Sequence, residues 1–213
     1  MILALDWVAA SSIATALATL VLAVATFAAV RSANRAARVA ELSLLASLRP
    51  LLLPSRPEDP DVKVGFSDDR WFHLPGNGGI AEAADGAVYL AFAVRNVGSG
   101  IAVLHGWALR ADTPTGTSDH VPLDSFNRLT RDLYIGAGEV GFWQGTFRDP
   151  ASDGFAAARR VIEARQRFSI EVLYGDHELG QRSITRFTMM PGDGDGYYVT
   201  VSRHWNVDRP DPR

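Results

Sequence analysis

Residues Trp7 to Val30 form an apolar run without one charged side chain, closed by Asp6 on one side and by Arg31, Arg35 and Arg38 on the other. At 1.5 Å rise per residue, a helix of this length covers a hydrocarbon core of roughly 30 Å with a little left for tilt. The lipid bilayer is therefore the first expected partner, reached through Trp7 to Val30. Val8, Ile13, Leu17, Leu20, Val21, Leu22, Val24, Phe27 and Val30 together favour insertion by roughly −3 to −5 kcal/mol. Ser11, Ser12, Thr15, Thr19 and Thr26 subtract from this, although hydroxyls in a helix can bond to carbonyls one turn earlier.

A cleaved secretory signal needs a positive amino-terminal region and a shorter apolar core. Here Met1 to Trp7 carries Asp6 and no cation, and the basic residues follow the run, so a retained single span is expected. Three arginines after the span place the carboxy-terminal body on the cytoplasmic side and the amino terminus outside. The absence of cysteine agrees with a reducing compartment. Arg31, Arg35 and Arg38 lie where anionic headgroups are expected, each cation contributing about 1 kcal/mol. Ser11, Thr15, Thr19 and Ala23 form one stripe of small residues, and Ala25, Ala29, Ala33 and Ala37 a second. Such stripes permit a homo-oligomer through the span, although an alanine-rich segment also produces this spacing by chance. Ser32 to Leu48 holds no Gly or Pro, so the helix is expected to continue until Arg49-Pro50 stops it. Val39, Leu42, Leu45 and Leu48 lie along one side, ready to pack on the body or on a second copy.

The chain divides into an anchor (1–30), a juxtamembrane helix (31–49), a proline-rich connector or edge strand (50–61), a β-sandwich domain (62–206) and a disordered tail (207–213). From Pro50 onward, 17 basic residues face 22 acidic ones, which argues against a nucleic-acid surface. Pro50, Pro54, Pro57 and Pro60 confine the strand at Leu51 to Leu53 to an edge. Val62 to Phe66 and Trp71 to Leu74 read as short strands, and Pro75-Gly76-Asn77-Gly78-Gly79 as a flexible turn lacking the lysine of a phosphate loop. Val88, Leu90, Phe92 and Val94 alternate with Tyr89, Ala91, Ala93 and Arg95, the two-residue period of a central strand. Asn96-Val97-Gly98-Ser99-Gly100 turns the chain into a strand at Ile101 to Arg110. Further strands are expected at Leu133 to Ile135, Val140 to Phe147, Phe168 to Tyr174, Arg182 to Met189 and Tyr197 to Trp205. A helix at Phe155 to Gln166, capped by Ser152 or Asp153, presents Phe155, Ala158 and Ile162 on one face. The fold class is mainly β: an amino-terminal transmembrane helix, then an antiparallel immunoglobulin-like sandwich with one short inserted helix.

The strand ending in Asn96-Val97-Gly98-Ser99-Gly100-Ile101-Ala102, with Gly136-Ala137-Gly138-Glu139 before a later strand, resembles the turns of bacterial immunoglobulin-like, CARDB-type adhesion domains. It is also similar to bacterial single-span proteins with a β-sandwich body. The resemblance covers about a third of the chain and implies a bacterial inner (plasma) membrane protein that binds rather than catalyses. The helix at Phe155 and the cytoplasmic side depart from the adhesion pattern.

No catalytic, cofactor-binding or metal-ligating residue is singled out. Ser99 between two glycines lacks the spacing and following helix of a hydrolase elbow. Asp193-Gly194-Asp195-Gly196 has two alternating carboxylates, but His204 stands where a calcium loop needs glutamate. Asp176, His177 and Glu178 cluster at a turn without a second histidine or cysteine nearby, and His73, His105, His120 and His204 are scattered. Arg182 and Arg186 share a strand face, with Arg203 on the hairpin partner, as an anion patch or a solvated face. Trp71, Trp107, Trp143, Trp205, Tyr89, Tyr197 and Tyr198 read as packing aromatics. The leading expectation is a membrane-anchored interaction or sensing module with an unknown protein partner. The alternatives are a membrane-bound enzyme assembled from residues such as His105, Asp176 and His177, and a structural subunit of a membrane complex.

Overall fold

The computed structural model describes residues 2–112, 119–178 and 180–208. The chain separates into two compact units, Met1–Ala46 and Ser47–Arg213. The first is helix α1 (Ile2–Ser47), 46 residues without a break. Within Trp7–Ser47 its apolar 18-residue stretch has mean hydropathy 2.3 and nothing buried, so by length and composition it can cross a membrane. Its hydroxyls are satisfied as expected: Ser12 Oγ donates to Val8 O at 2.9 Å, Thr15 Oγ1 to Ser11 O at 2.9 Å and Thr19 Oγ1 to Thr15 O at 2.8 Å. Beyond Val30 the helix runs on for roughly 25 Å.

The second unit is mainly β. Its strands are β1 (Leu52–Pro54), β2 (Val62–Gly65), β3 (Trp71–Leu74), β4 (Gly78–Ala84), β5 (Ala87–Asn96), β6 (Ala102–Arg110), β7 (Asn127–Ile135), β8 (Val140–Phe147), β9 (Phe168–Gly175), β10 (Ser183–Pro191) and β11 (Tyr197–Asn206), with helix α2 (Asp153–Glu163) between β8 and β9. One antiparallel nine-stranded sheet runs β1-β5-β4-β11-β10-β9-β6-β7, with β8 also on β5. The sheet curls into a sandwich-like body, and end strands β7 and β8 approach each other, Arg131 Nη2 donating to Gln144 Oε1 at 2.9 Å.

Strand β5 is the axis. It pairs with β8 along one edge, while β4 and then β1 share the other, at Gly79↔Phe92 and Pro54↔Val94. Leu90, Phe92 and Val94 enter the main core beside Trp143, Phe187 and Ile170. The alternate residues Tyr89, Ala91 and Ala93 are also buried, because the β2–β3 hairpin lies over them with Val64, Phe66 and Leu74. The connector at 50–61 contributes β1, whose Leu52 is buried in the main core.

Three expectations are corrected. Gly78 and Gly79 belong to the buried start of β4 rather than to a flexible turn, because Gly78 pairs with Tyr198 of β11 and Gly79 with both Tyr197 of β11 and Phe92 of β5. Strand β7 begins at Asn127, well before Leu133, since its polar residues still ladder with β6. Of the tail expected to be disordered at 207–213, Val207 N donates to Arg182 O at 3.0 Å and Asp208 pairs with Arg182 at 2.6 Å; 209–213 lies outside the described residues.

The chain leaving the helix is seated by the β5–β6 corner. Fully buried Asn96 uses its whole carboxamide: Oδ1 accepts from Leu51 N at 3.2 Å and Gly98 N at 3.0 Å, while Nδ2 donates to Gly100 O at 2.7 Å and Ile135 O at 3.0 Å. Gly98 and Gly100 allow the backbone of Leu48 to Leu51 to pass, since a Cβ at Gly100 would stand 1.7 Å from Leu48 O. Asn96→Ala leaves buried partners unpaired and is expected to cost about 3 kcal/mol, read as a lower denaturant midpoint of the full chain in detergent. Gly100→Ala is expected to be at least as damaging.

Candidate functional site

Between β4 and β11 the sheet splits, and the split opens a cleft of about 740 Å³. Its origin is local. Asp85 (φ 53°) and Gly86 (φ 75°) both adopt positive φ, making the tight two-residue turn that joins β4 to β5. Ala84 and Ala87 close that turn as a hydrogen-bonded pair. In an antiparallel ladder such pairs alternate with pairs whose N–H and C=O point to the other edge. Ile80, Glu82 and Ala84 therefore bond to β5, while Gly79, Ala81 and Ala83 aim their backbone groups away from it. Gly79 finds Tyr197 of β11, and Asn77 O accepts from Val199 N at 3.2 Å. There the pairing stops, because β11 begins at Tyr197 and the chain before it forms the Gly192–Gly196 turn, closed by Gly192 N to Gly196 O at 3.0 Å. Among the described residues, Ala81 and Ala83 have no strand beside them on that edge.

Helix α2 forms one wall. Ser152 Oγ caps it by accepting from Phe155 N at 3.2 Å, and Phe155, Ala158 and Val161 anchor it in the core. It ends with Gln166 N donating to Val161 O at 2.8 Å and Arg165 N to Ile162 O at 2.9 Å. This end geometry needs a left-handed residue, usually glycine. Here it is Arg165, at φ 46°, a conformation that costs on the order of 1 kcal/mol for a residue with a side chain. Arg165 Nη2 donates to Gly192 O at 3.0 Å and its guanidinium lies 5.6 Å from the Tyr197 ring. The strained arginine thus ties α2 to the β10–β11 turn and sets the width of the cleft. Phe72 and His73 of β3 line the opposite wall.

The lining is acidic. Glu82 is paired with Arg70 at 2.8 Å and Glu163 with Arg159 at 2.5 Å, while Asp193 and Asp195 stand exposed on the turn with no ion pair among the described residues. No protein-family model matches this sequence, and no curated protein or solved structure matches it.

The residues considered from the sequence are dispersed through the body. Asp193 and Asp195 reach the cleft. Buried Asp176 is engaged by its own turn, accepting from Glu178 N at 3.1 Å, Gly180 N at 2.8 Å and Gln181 Nε2 at 3.3 Å. The arginine patch is corrected: Arg186 Nε and Nη2 donate to buried Glu171 Oε1 at 2.9 and 2.6 Å, and Arg182 is held by Asp208. Arg203 does lie opposite Arg186, with Trp205 stacked against both guanidinium groups at 5.2 and 4.7 Å. Trp107, Trp143 and Trp205 are buried packing residues, whereas Trp71 and Tyr198 are exposed. No group of three metal-ligating side chains occurs among the described residues. Ala81, Ala83 and Arg165 do not stand out in the sequence, and of these only Arg165, one residue before the helix's expected end, carries a local signal.

His105 sits at a β-bulge, where the pairing of β6 to both β7 and β9 shifts between Leu104 and Gly106. Among the described residues its buried Nε2 has no hydrogen-bond partner, and burial, then the nearby Arg182 charge, holds its pKa below the ordinary 6.5. The folded state therefore resists a proton that the unfolded chain accepts, so stability is lost as pH falls below about 6.5. His105→Gln is expected to flatten that decline, checked by comparing unfolding midpoints at about pH 7.5 and 5.5.

Proposed function

We propose that this chain is a single-span protein of a bacterial inner membrane whose β-rich body works on the cytoplasmic side as an interaction or sensing module. The observation that carries the reading is the open β4 edge, a recessed strand edge paired on its far side with β5, in a chain that also has a membrane-length apolar helix. Arg31, Arg35 and Arg38 supply the orientation and meet anionic headgroups, and the small-residue stripes of α1 offer a seam for a second copy. The similarity of the Asn96 to Ala102 and Gly136 to Glu139 turns to adhesion-type domains also favours binding over catalysis.

The bulged His105 favours a second reading, a membrane-bound enzyme using His105, Asp176 and His177. Against it, the Asp176 carboxylate is already engaged by its own turn. A reporter fused after Arg213 is expected to be active only in its cytoplasmic form, and Arg31, Arg35 and Arg38 changed together to Gln are expected to lower that activity by making orientation mixed. Activity confined to the exported form sinks the topology. Turnover of a small substrate by the full chain, abolished by His105→Ala, sinks the interaction reading.

A further inference from the structure

The cleft beside β4 has the form of a sheet with one strand missing. We infer that its occupant is an extended segment of another protein, carrying lysine or arginine, that adds to β4 as a further strand. The inference deepens the interaction-module reading and rests on it.

Three observations converge on this occupant. First, Ala81 and Ala83 present N–H and C=O groups two residues apart toward the cleft, the repeat at which an added strand bonds. From Ile80 to Ala84 the edge is roughly 13 Å long, enough for four or five peptide residues. Second, the edge carries few of the usual defences of an exposed strand. Lysine, proline and bulges normally blunt such edges, yet Gly78–Ala84 contains no lysine and no proline, and its single charge is Glu82. It is protected instead by recess: α2 and β3 flank it, which keeps out another sheet but admits a single strand. An added strand's alternate side chains would meet Phe72 and His73 on one wall and Ile162 and Glu163 on the other. Third, charge chooses the segment. Among the described residues Asp193 and Asp195, on the Gly192–Gly196 turn at one end of the cleft, have no ion pair, and Arg165, whose guanidinium also lines the cleft, is turned to Gly192 O and Tyr197. A basic peptide meets uncompensated carboxylates, while an acidic one adds like charge.

The test uses the full chain in lipid nanodiscs and fluorescein-labelled heptapeptides in which valine alternates with lysine, glutamine or glutamate. The lysine peptide is expected to bind at least tenfold tighter than the glutamine peptide, with the glutamate peptide weakest. N-methylation of alternate peptide residues is expected to weaken binding at least tenfold in one phase and little in the other, since only one phase faces β4. Backbone hydrogen exchange across 79–84 should slow on binding. Ala81→Pro removes an outward N–H that β5 does not use and is expected to weaken binding at least tenfold; if that variant misfolds by circular dichroism, the N-methylated peptides decide between the outcomes. Absence of lysine-peptide binding at millimolar concentration, or equal loss from either N-methyl phase or from neither, overturns the proposal. So does self-association of the full chain that Ala83→Pro abolishes, which would make the occupant a second copy. If photocrosslinkers elsewhere on the body trap one recurrent partner in intact membranes while a crosslinker at Ala83 traps none, this site is wrong and the interaction-module reading survives.

Discussion

The body depends on one saturated carboxamide. Asn96 ends the central strand, and its four side-chain bonds reach the incoming chain at Leu51, its own corner at Gly98 and Gly100, and β7 at Ile135. Its backbone does as much again, with Asn96 N donating to Glu139 O at 3.0 Å and Asn96 O accepting from Gly138 N at 2.8 Å. The β5–β6 corner and the β7–β8 turn, far apart in sequence, therefore close on the same residue. A shorter or apolar side chain there leaves several buried backbone groups without partners, the costly side of hydrogen-bond energetics. A second polar chain reinforces the seat. Arg49 can only donate, so His204 accepts through Nε2 at 3.1 Å and donates through Nδ1 to Thr185 Oγ1 at 3.0 Å. Thr185 meets the Tyr174 hydroxyl at 2.9 Å, which in turn accepts from Leu52 N at 3.2 Å. The residues that follow the helix are thus built into the sheet rather than tethered to it.

The outer face of the sheet is closed by a different device. Glu171 is fully buried, accepting from Arg186 on one oxygen and from Val121 N at 2.8 Å on the other. Arg186 Nη2 also donates to Asp119 O at 2.8 Å. A desolvated pair of this kind adds little net stability over an apolar substitute, but removing one partner is severe. Its effect here is placement, drawing 119–121 onto β9 and β10, while Phe126 joins Leu173, Ile184 and Trp205 beneath. The arginines that resemble an anion site in sequence serve the architecture instead.

What was legible in the sequence follows the strength of local signals. The long apolar helix, unbroken to Ser47, β5, β8 and the Ser152 cap each rest on a pattern that one segment carries alone. Strand β4 does not. Its residues are two glycines, three alanines, Ile80 and Glu82, with little strand propensity of their own, and neighbours impose the conformation. The bulge at Ser202 was equally invisible. The register with β10 shifts between Arg186 and Phe187, so Val199 and Val201 face the core while Trp205, of the same parity, faces out beside Ile184. Regular alternation would have buried it on the wrong side. The role of Arg186 was hidden because its partner, Glu171, lies on another strand.

The candidate site belongs to this less legible part for a physical reason. A split between strands arises where two elements want incompatible positions: β11 can follow β4 only until the Gly192–Gly196 turn, and α2 occupies the core space beyond it. Neither requirement is written in β4. The result is an edge whose position is fixed by its surroundings, with Arg165 held in a strained conformation to clamp α2 against the turn. A ligand that adds to such an edge pays for its own ordering but little for the protein's, because the receiving backbone is already extended and paired on its far side. That prior pairing distinguishes this edge from a frayed strand end, which would have to order both partners at once.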